Sequence, residues 1–211
     1  MSATPASDQR HDPRQALMLR TAKVVCQSGE YVCLVRDVSQ GGVGLRFFHD
    51  VPAEKRIFLE LANGALYPIE RCWADGADAG FRFAAPVVLA DFMAEASQFP
   101  HRPVRLRLKV PALLTVDRQD CRAMLADVSR CGAKLSAARK LPLHAFARFD
   151  VRGLPLRFGH VRWRKGLDHG IVFQEAFGLE ELARSLFTLQ PALELQDSAD
   201  HGDEHSAIRA A

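Results

Sequence analysis

The chain has few aromatic residues besides phenylalanine, with two Trp and two Tyr in 211 residues, and its five cysteines form no CxxC pair. Cys26, Cys33, Cys72, Cys121 and Cys131 therefore read as reduced thiols, mostly small buried hydrophobes rather than a redox switch. Cys26 and Cys33 flank a turn signal and are expected across a hairpin. No apolar run reaches the length of about eighteen residues that a membrane-spanning helix needs. The first residues, MSATPASDQRHDPR, are polar and lack the apolar core of a secretory signal, so a cytoplasmic protein is expected. No P-loop, GxSxG or HExxH motif occurs, and His201-x-x-x-His205 sits in a polar tail where it reads as solvated. An enzyme, a metal site and a tightly held cofactor are accordingly not expected.

What is present is apolar material for packed cores, 48% of the residues, and an uneven charge. The net charge of +3 divides into −2 over residues 1–100, +9 over 101–189 and −4 over 190–211. A basic second half attracts an acidic partner, and the acidic tail offers to neutralise it in part.

The strongest internal signal is self-similarity. Asp37-Val38-Ser39-x-x-Gly42 recurs as Asp127-Val128-Ser129-x-x-Gly132, Leu45 as Leu135, Trp73 as Trp163, and Gly80-x-x-Phe83 as Gly170-x-x-Phe173, all ninety residues on. Arg14 and Leu17 match Arg105 and Leu108 at ninety-one, read as one extra residue in a loop of the second copy. Two copies of one fold follow. Period-two alternation marks six short strands in each copy, and Asn63-Gly64 signals a hairpin whose two central residues both favour positive φ. Helical spacing then sets in at PVVLADFMAEASQ and again at LEELARSLFTL.

Six strands in about seventy residues suit a small closed barrel, which leaves no sticky edge. The expected fold is mainly β: two tandem six-stranded antiparallel barrels, each followed by a C-terminal helix. The expected divisions are a mobile arm over 1–14, a first barrel over 15–99, a second over 100–189 and a disordered acidic tail over 190–211.

Arg10-His11-Asp12-Pro13-Arg14 sets two guanidiniums four residues apart on an extended arm, because Pro13 disfavours helix at Asp12. Such forked, permanent charges suit bidentate recognition of phosphate and stacking on a base. In Asp37-Val38-Ser39-Gln40-Gly41-Gly42, the carboxylate can accept from a guanine N–H edge and the glycines allow an anion-holding turn. The same residues also make ordinary side-chain-to-backbone turns.

An RxxxR arm before a β-barrel, followed by D/NxSxxG between its second and third strands, resembles the PilZ domain family. The likeness extends to Leu17, Val24, Trp73 and Gly80-x-x-Phe83, covers residues 9–98 and, less completely, 101–188. It implies a receptor for the ligand cyclic di-GMP, in which Arg10 and Arg14 grip phosphates and guanines. Asp37 and Ser39 would read a guanine edge, and Gly42 would let backbone and ligand approach. Gln9, before the arginine pair, bears on whether one or two ligand molecules stack. In the second copy Arg105, Asp127, Ser129 and Gly132 are in place, but His101 stands where Arg10 does, with Arg102 one residue later. His lacks the guanidinium fork, so this second site is either weaker or a degenerate copy kept for interaction. The resemblance also implies an unidentified downstream protein partner in motility, adhesion or exopolysaccharide control.

Two alternatives stand beside that reading: a ligand-free PilZ-like docking module, and a nucleic-acid-binding protein acting through the basic second half. Nucleic acid is disfavoured because that half has one Trp and no Tyr for base stacking.

Overall fold

The computed structural model describes residues 15–94 and 103–190. In the first half β1 (Gln15–Cys26), β2 (Gly29–Val38), β3 (Gly42–Arg46), β4 (Arg56–Glu60), β5 (Leu66–Asp75) and β6 (Asp78–Phe83) close into a barrel ordered β1-β2-β3-β6-β5-β4. In the second, β7 (Leu106–Val116), β8 (Gln119–Ser129), β9 (Gly132–Ala137), β10 (Phe146–Asp150), β11 (Arg157–Lys165) and β12 (Asp168–Phe173) close in the same cyclic order. Every pairing is antiparallel, as short connections require. Helix α1 (Leu89–Ala94) follows the first barrel, and a helix through residues 179–190, here α2, follows the second.

Alternation builds the cores. Along β7, Leu106, Leu108, Val110, Ala112, Leu114 and Val116 are buried, while Arg107, Lys109, Pro111 and Leu113 point outward. Phe47, Leu45 and Leu59 fill the first barrel, and Phe149, Leu125 and Leu135 the second; all are essentially inaccessible.

The repeated Trp and Gly explain each other. Trp73 pairs with Gly80 and Trp163 with Gly170, each beside a bulge in its strand. A Cβ on either glycine would fall 2.0 Å from the indole Nε1, so the ring lies flat on bare backbone. These repeated residues are packing devices of the barrel.

Two expectations are corrected. The odd residue belongs to the first copy, not to a loop of the second. Pairing passes from Ala16↔Asp37 to Arg20↔Val35 in β1, but from Arg107↔Asp127 to Val110↔Leu125 in β7. Residues 17–19 thus occupy the bulge where 108 and 109 suffice in the second copy. At the Asn63-Gly64 turn only Gly64 takes a positive φ, 87°. Its N–H donates to the Leu61 carbonyl at 2.9 Å while Asn63 Oδ1 accepts from the Ala65 N–H, a wider loop than a two-residue hairpin. As expected, Cys26 and Cys33 lie on the two strands of the β1–β2 hairpin, where Cys26 faces Gly29 and Cys33 faces Ala22. All five cysteines are free, and burial beside Glu54 pushes the Cys26 thiol up to about 12, which keeps it unreactive.

The barrels share a polar and an aromatic seam. Lys23, 3% exposed, donates to Glu30 at 2.7 Å and to the Arg105 carbonyl at 2.8 Å, and lies 3.2 Å from Glu60. Glu30 also accepts from the Arg107 backbone N–H at 2.9 Å and from Arg107 Nε at 2.5 Å. At the end of α2, Gln190 brackets the Glu30 backbone, accepting from its N–H at 2.6 Å and donating to its carbonyl at 2.8 Å. Beside this, Phe187 of α2 stacks on His49 of the first barrel with centroids 4.0 Å apart. Val32 of β2 packs with the second core.

Deleting one member of a buried ion pair leaves its partner's charge uncompensated, which costs about 3–5 kcal/mol. Because Glu60 remains near Lys23, Glu30→Ala is expected at the lower end, about 3 kcal/mol, measured by chemical denaturation. Stability should also fall on mild acidification. His169 is buried with Nδ1 donating to the Leu167 carbonyl at 2.7 Å and Nε2 accepting from the Leu141 N–H at 3.0 Å, an arrangement only the neutral ring can make. Burial and nearby Arg164 lower its pKa, and burial likewise lowers that of His49. The unfolded chain then takes up protons first, so stability is full above about pH 6.5 and declines below it, by at most about 1.4 kcal/mol per pH unit for each histidine. Denaturation midpoints measured from pH 8 to pH 5 check both the direction and the window.

Candidate functional site

The most closely organised polar turn of the first barrel joins β2 to β3. The Ser39 N–H donates to the Gly42 carbonyl at 2.8 Å, and the Gly42 N–H donates back to Ser39 Oγ at 3.2 Å. Outside the turn, Phe83 N–H binds the Gly41 carbonyl and Val87 N–H the Gln40 carbonyl, both at 2.9 Å. The loop is thereby tied to the end of β6 and to the approach to α1, which makes it a rigid platform. A Cβ on Gly42 would lie 2.7 Å from the Phe81 carbonyl oxygen. The last glycine of the motif is thus required by the closeness of β3 to β6.

Asp37, half-buried, faces Gly44 across the β2–β3 pair, next to a register shift. A Cβ at position 44 would come within 2.4 Å of its Oδ2, so the carboxylate lies over a residue that has no side chain. Gly44 was not singled out from the sequence. Its signal was available there: the equivalent residue of the second copy is Lys134, and the contrast marks a position where the two copies differ in bulk and charge.

The second copy repeats the platform but fills it. Ser129, fully buried, donates from Oγ to the Gly132 carbonyl at 3.1 Å, and a Cβ on Gly132 would meet the Ile171 carbonyl oxygen at 2.3 Å. Arg105 forms an ion pair with Asp127, so the motif arginine neutralises the motif aspartate of its own barrel. Lys134, cross-strand to Asp127, reaches Asp168 at 3.4 Å. In front of the pair a cleft of about 270 Å³ is shared with Lys23, Glu60, Asn63 and Gly64 of the first barrel.

Of the residues expected at the first site, Asp37, Ser39 and Gly42 meet at one turn, whereas Arg10 and Arg14 lie outside the described residues. At the second, Arg105, Asp127, Ser129 and Gly132 come together, and Arg102 with His101 lies outside them. Among the described residues no group of His, Cys, Asp or Glu is placed to hold a metal ion, and no helix is long and apolar enough to cross a membrane.

Comparison with solved structures finds matches of low identity. Borreliella burgdorferi PlzA, solved in complex with c-di-GMP, is 12% identical over 79% of this chain and 86% of its own, with a TM-score of 0.34. The Bacillus subtilis inhibitor of motility is 9% identical over 85% and 99%, with a TM-score of 0.37. Escherichia coli YcgR, also in complex with c-di-GMP, is 12% identical over 87% and 88%, with a TM-score of 0.31. No curated protein matches the chain. The family comparison is direct: the PilZ domain model matches residues 8–88, a span that takes in Arg10, Arg14, the whole first barrel and the Asp37–Gly42 turn. Over those residues, the N-terminal part of the chain, the sequence is similar to the PilZ domain family.

Proposed function

We propose that the chain is a cyclic di-GMP receptor that captures the dinucleotide on its first barrel and passes the event to a protein partner. The observation that carries this reading is the Asp37 carboxylate set over Gly44 beside a turn braced at both ends, within the span matched by the family model. In this reading Arg10 and Arg14 bind phosphates and stack on guanine, Asp37 accepts from a guanine N–H edge, and Ser39 holds the turn or donates to the ligand. Gly42 keeps the β3 backbone bare where the ligand approaches. No cofactor is required, and no chemistry on the ligand is proposed.

Drawing an arm of several residues onto the barrel costs about 1–2 kcal/mol per ordered residue. Charge-assisted hydrogen bonds return about 1.5–3 kcal/mol each, so four of them with guanine stacking offset a short arm. Ligand binding in this scheme is an ordering event, and the covered barrel face is what a partner reads.

For the second barrel the observations favour a closed site. The Arg105–Asp127 pair spends both motif charges on each other, and Lys134 stands where the first barrel has Gly44. Its cleft of about 270 Å³ lies at or below the small end of ligand pockets, about 300–1,000 Å³.

Calorimetric titration of cyclic di-GMP into the full chain tests these assignments. Arg14→Ala and Asp37→Ala are expected to weaken binding by at least tenfold, since each removes charge-assisted bonds worth about 1.5–3 kcal/mol. Asp127→Ala should leave the affinity within about twofold. Unchanged affinity in Arg14→Ala rejects the assignment of the first site. A tenfold loss in Asp127→Ala would instead locate the ligand at the second barrel.

A further inference from the structure

On the same outer face of the two barrels, one row of equivalent positions differs in chemistry. In the first barrel, Arg82, Glu70 and Arg56 stand side by side across β6, β5 and β4. Arg82 binds Glu70 at 2.6 Å and Lys55 lies 3.5 Å from it, a solvated ion-pair row. In the second barrel the equivalent row is Val172, His160 and Phe146 across β12, β11 and β10. The next row sets Phe158 beside Arg148. Phe146 is 47% exposed, Phe158 42% and Val172 48%, yet the two phenyl rings are parallel with centroids 5.7 Å apart, and His160 meets Phe146 edge-on. The first row is thus an ion-pair row in one copy and apolar in the other; the first barrel's next row exposes a single ring, Phe58 beside Pro68, where the second barrel stacks two.

We infer that this β10–β11–β12 face is where a second copy of the chain docks, face to face about a two-fold axis. The composition is that of an interface centre, with aromatics and an arginine present and lysine absent. Beside the rings the charge is self-complementary: Arg148 and Asp150 are neighbours on β10, 2.9 Å apart and about half exposed, so that strand carries one charge of each sign. A two-fold axis brings each to its opposite on the other copy, as an isologous contact demands. Area points the same way. A pair of half-exposed phenylalanines and a valine supplies only the dry centre of the about 800 Å² per partner that a stable contact buries, and the mixed rim of Arg148, Asp150, Thr115 and Arg162 supplies the wet remainder.

A polyanion fits the rings less well despite the second half's excess of basic residues, because the arginine beside them, Arg148, is already paired with Asp150. That excess, +9 over residues 101–189, also means that two docked copies repel at long range. Salt screens such repulsion over about 8 Å at physiological ionic strength, so self-association should strengthen as salt rises.

Sedimentation velocity of the full chain, from about 1 to 200 µM and at low and high NaCl, is the test. A reversible dimer favoured by salt is expected, with Phe146→Asp raising its dissociation constant at least tenfold. Two surface substitutions guard against misfolding: Arg148→Asp and Asp150→Arg should each weaken the homodimer, and an equimolar mixture of the two variants should recover it. Cyclic di-GMP affinity should be unaltered in all three, which separates failure here from failure of the first-barrel assignment. The inference is overturned by a monomer throughout the concentration range, by a dimer indifferent to these substitutions, or by a mixture that stays monomeric. It is equally overturned if the protein stays monomeric and binds a labelled oligothymidine with an affinity that falls with salt and is lost in Phe146→Asp.

Discussion

The close approach of β3 to β6 is the constraint on which the site depends. Gly42 and Gly132 have no side chain because the neighbouring strand's carbonyl oxygen occupies the space a Cβ would need. With β3 held there, the β2–β3 turn is fixed by Ser39 from within and by Phe83 and Val87 from without. A barrel that closes on six short strands has little slack, and a change at one of these glycines propagates into strand pairing before it reaches any ligand. The motif is thus first a folding element.

Duplication let the two barrels diverge in what they show to solvent while keeping one interior. Indole on glycine, buried Phe and Leu, and the bulges beside the tryptophans recur in both. The polar turn recurs with a change beside it: Lys134 stands where the first barrel has Gly44, and Arg105 pairs with Asp127. One row of the outer face differs too, an ion-pair row in one copy and Val172, His160 and Phe146 in the other. Interiors are held by packing at near-crystalline density, which tolerates little change, whereas surfaces are free to be reassigned.

The junction between the barrels couples these parts. Lys23 is buried because Glu30, Glu60 and the Arg105 carbonyl together replace its water, and Arg107 completes the set on Glu30. The backbone that enters the second barrel is therefore anchored to the first through the same residues, Arg105 and Arg107, that border the second cleft. A buried charge network of this kind contributes orientation more than net stability, since desolvation offsets much of the Coulomb gain.

Local patterning alone determined much of this protein. Period-two alternation, the ninety-residue repeat and the punctuation by glycine and asparagine gave six strands per copy, two barrels and a turn carrying Asp37, Ser39 and Gly42, because strand pleating and turn geometry are written over a few neighbouring residues. The extra residue was misassigned although the numbering carried the answer, since Arg14 to Asp37 spans one residue more than Arg105 to Asp127; only the strand pairing places it in the bulge of β1. Only the tertiary structure decided that Gly44 lies beneath Asp37, that Arg105 is consumed by Asp127, that Lys23 is buried and that Phe146 and Phe158 are not. Each of those depends on which strands and barrels come to lie against each other, and long-range packing of that kind leaves no mark on any short stretch of sequence.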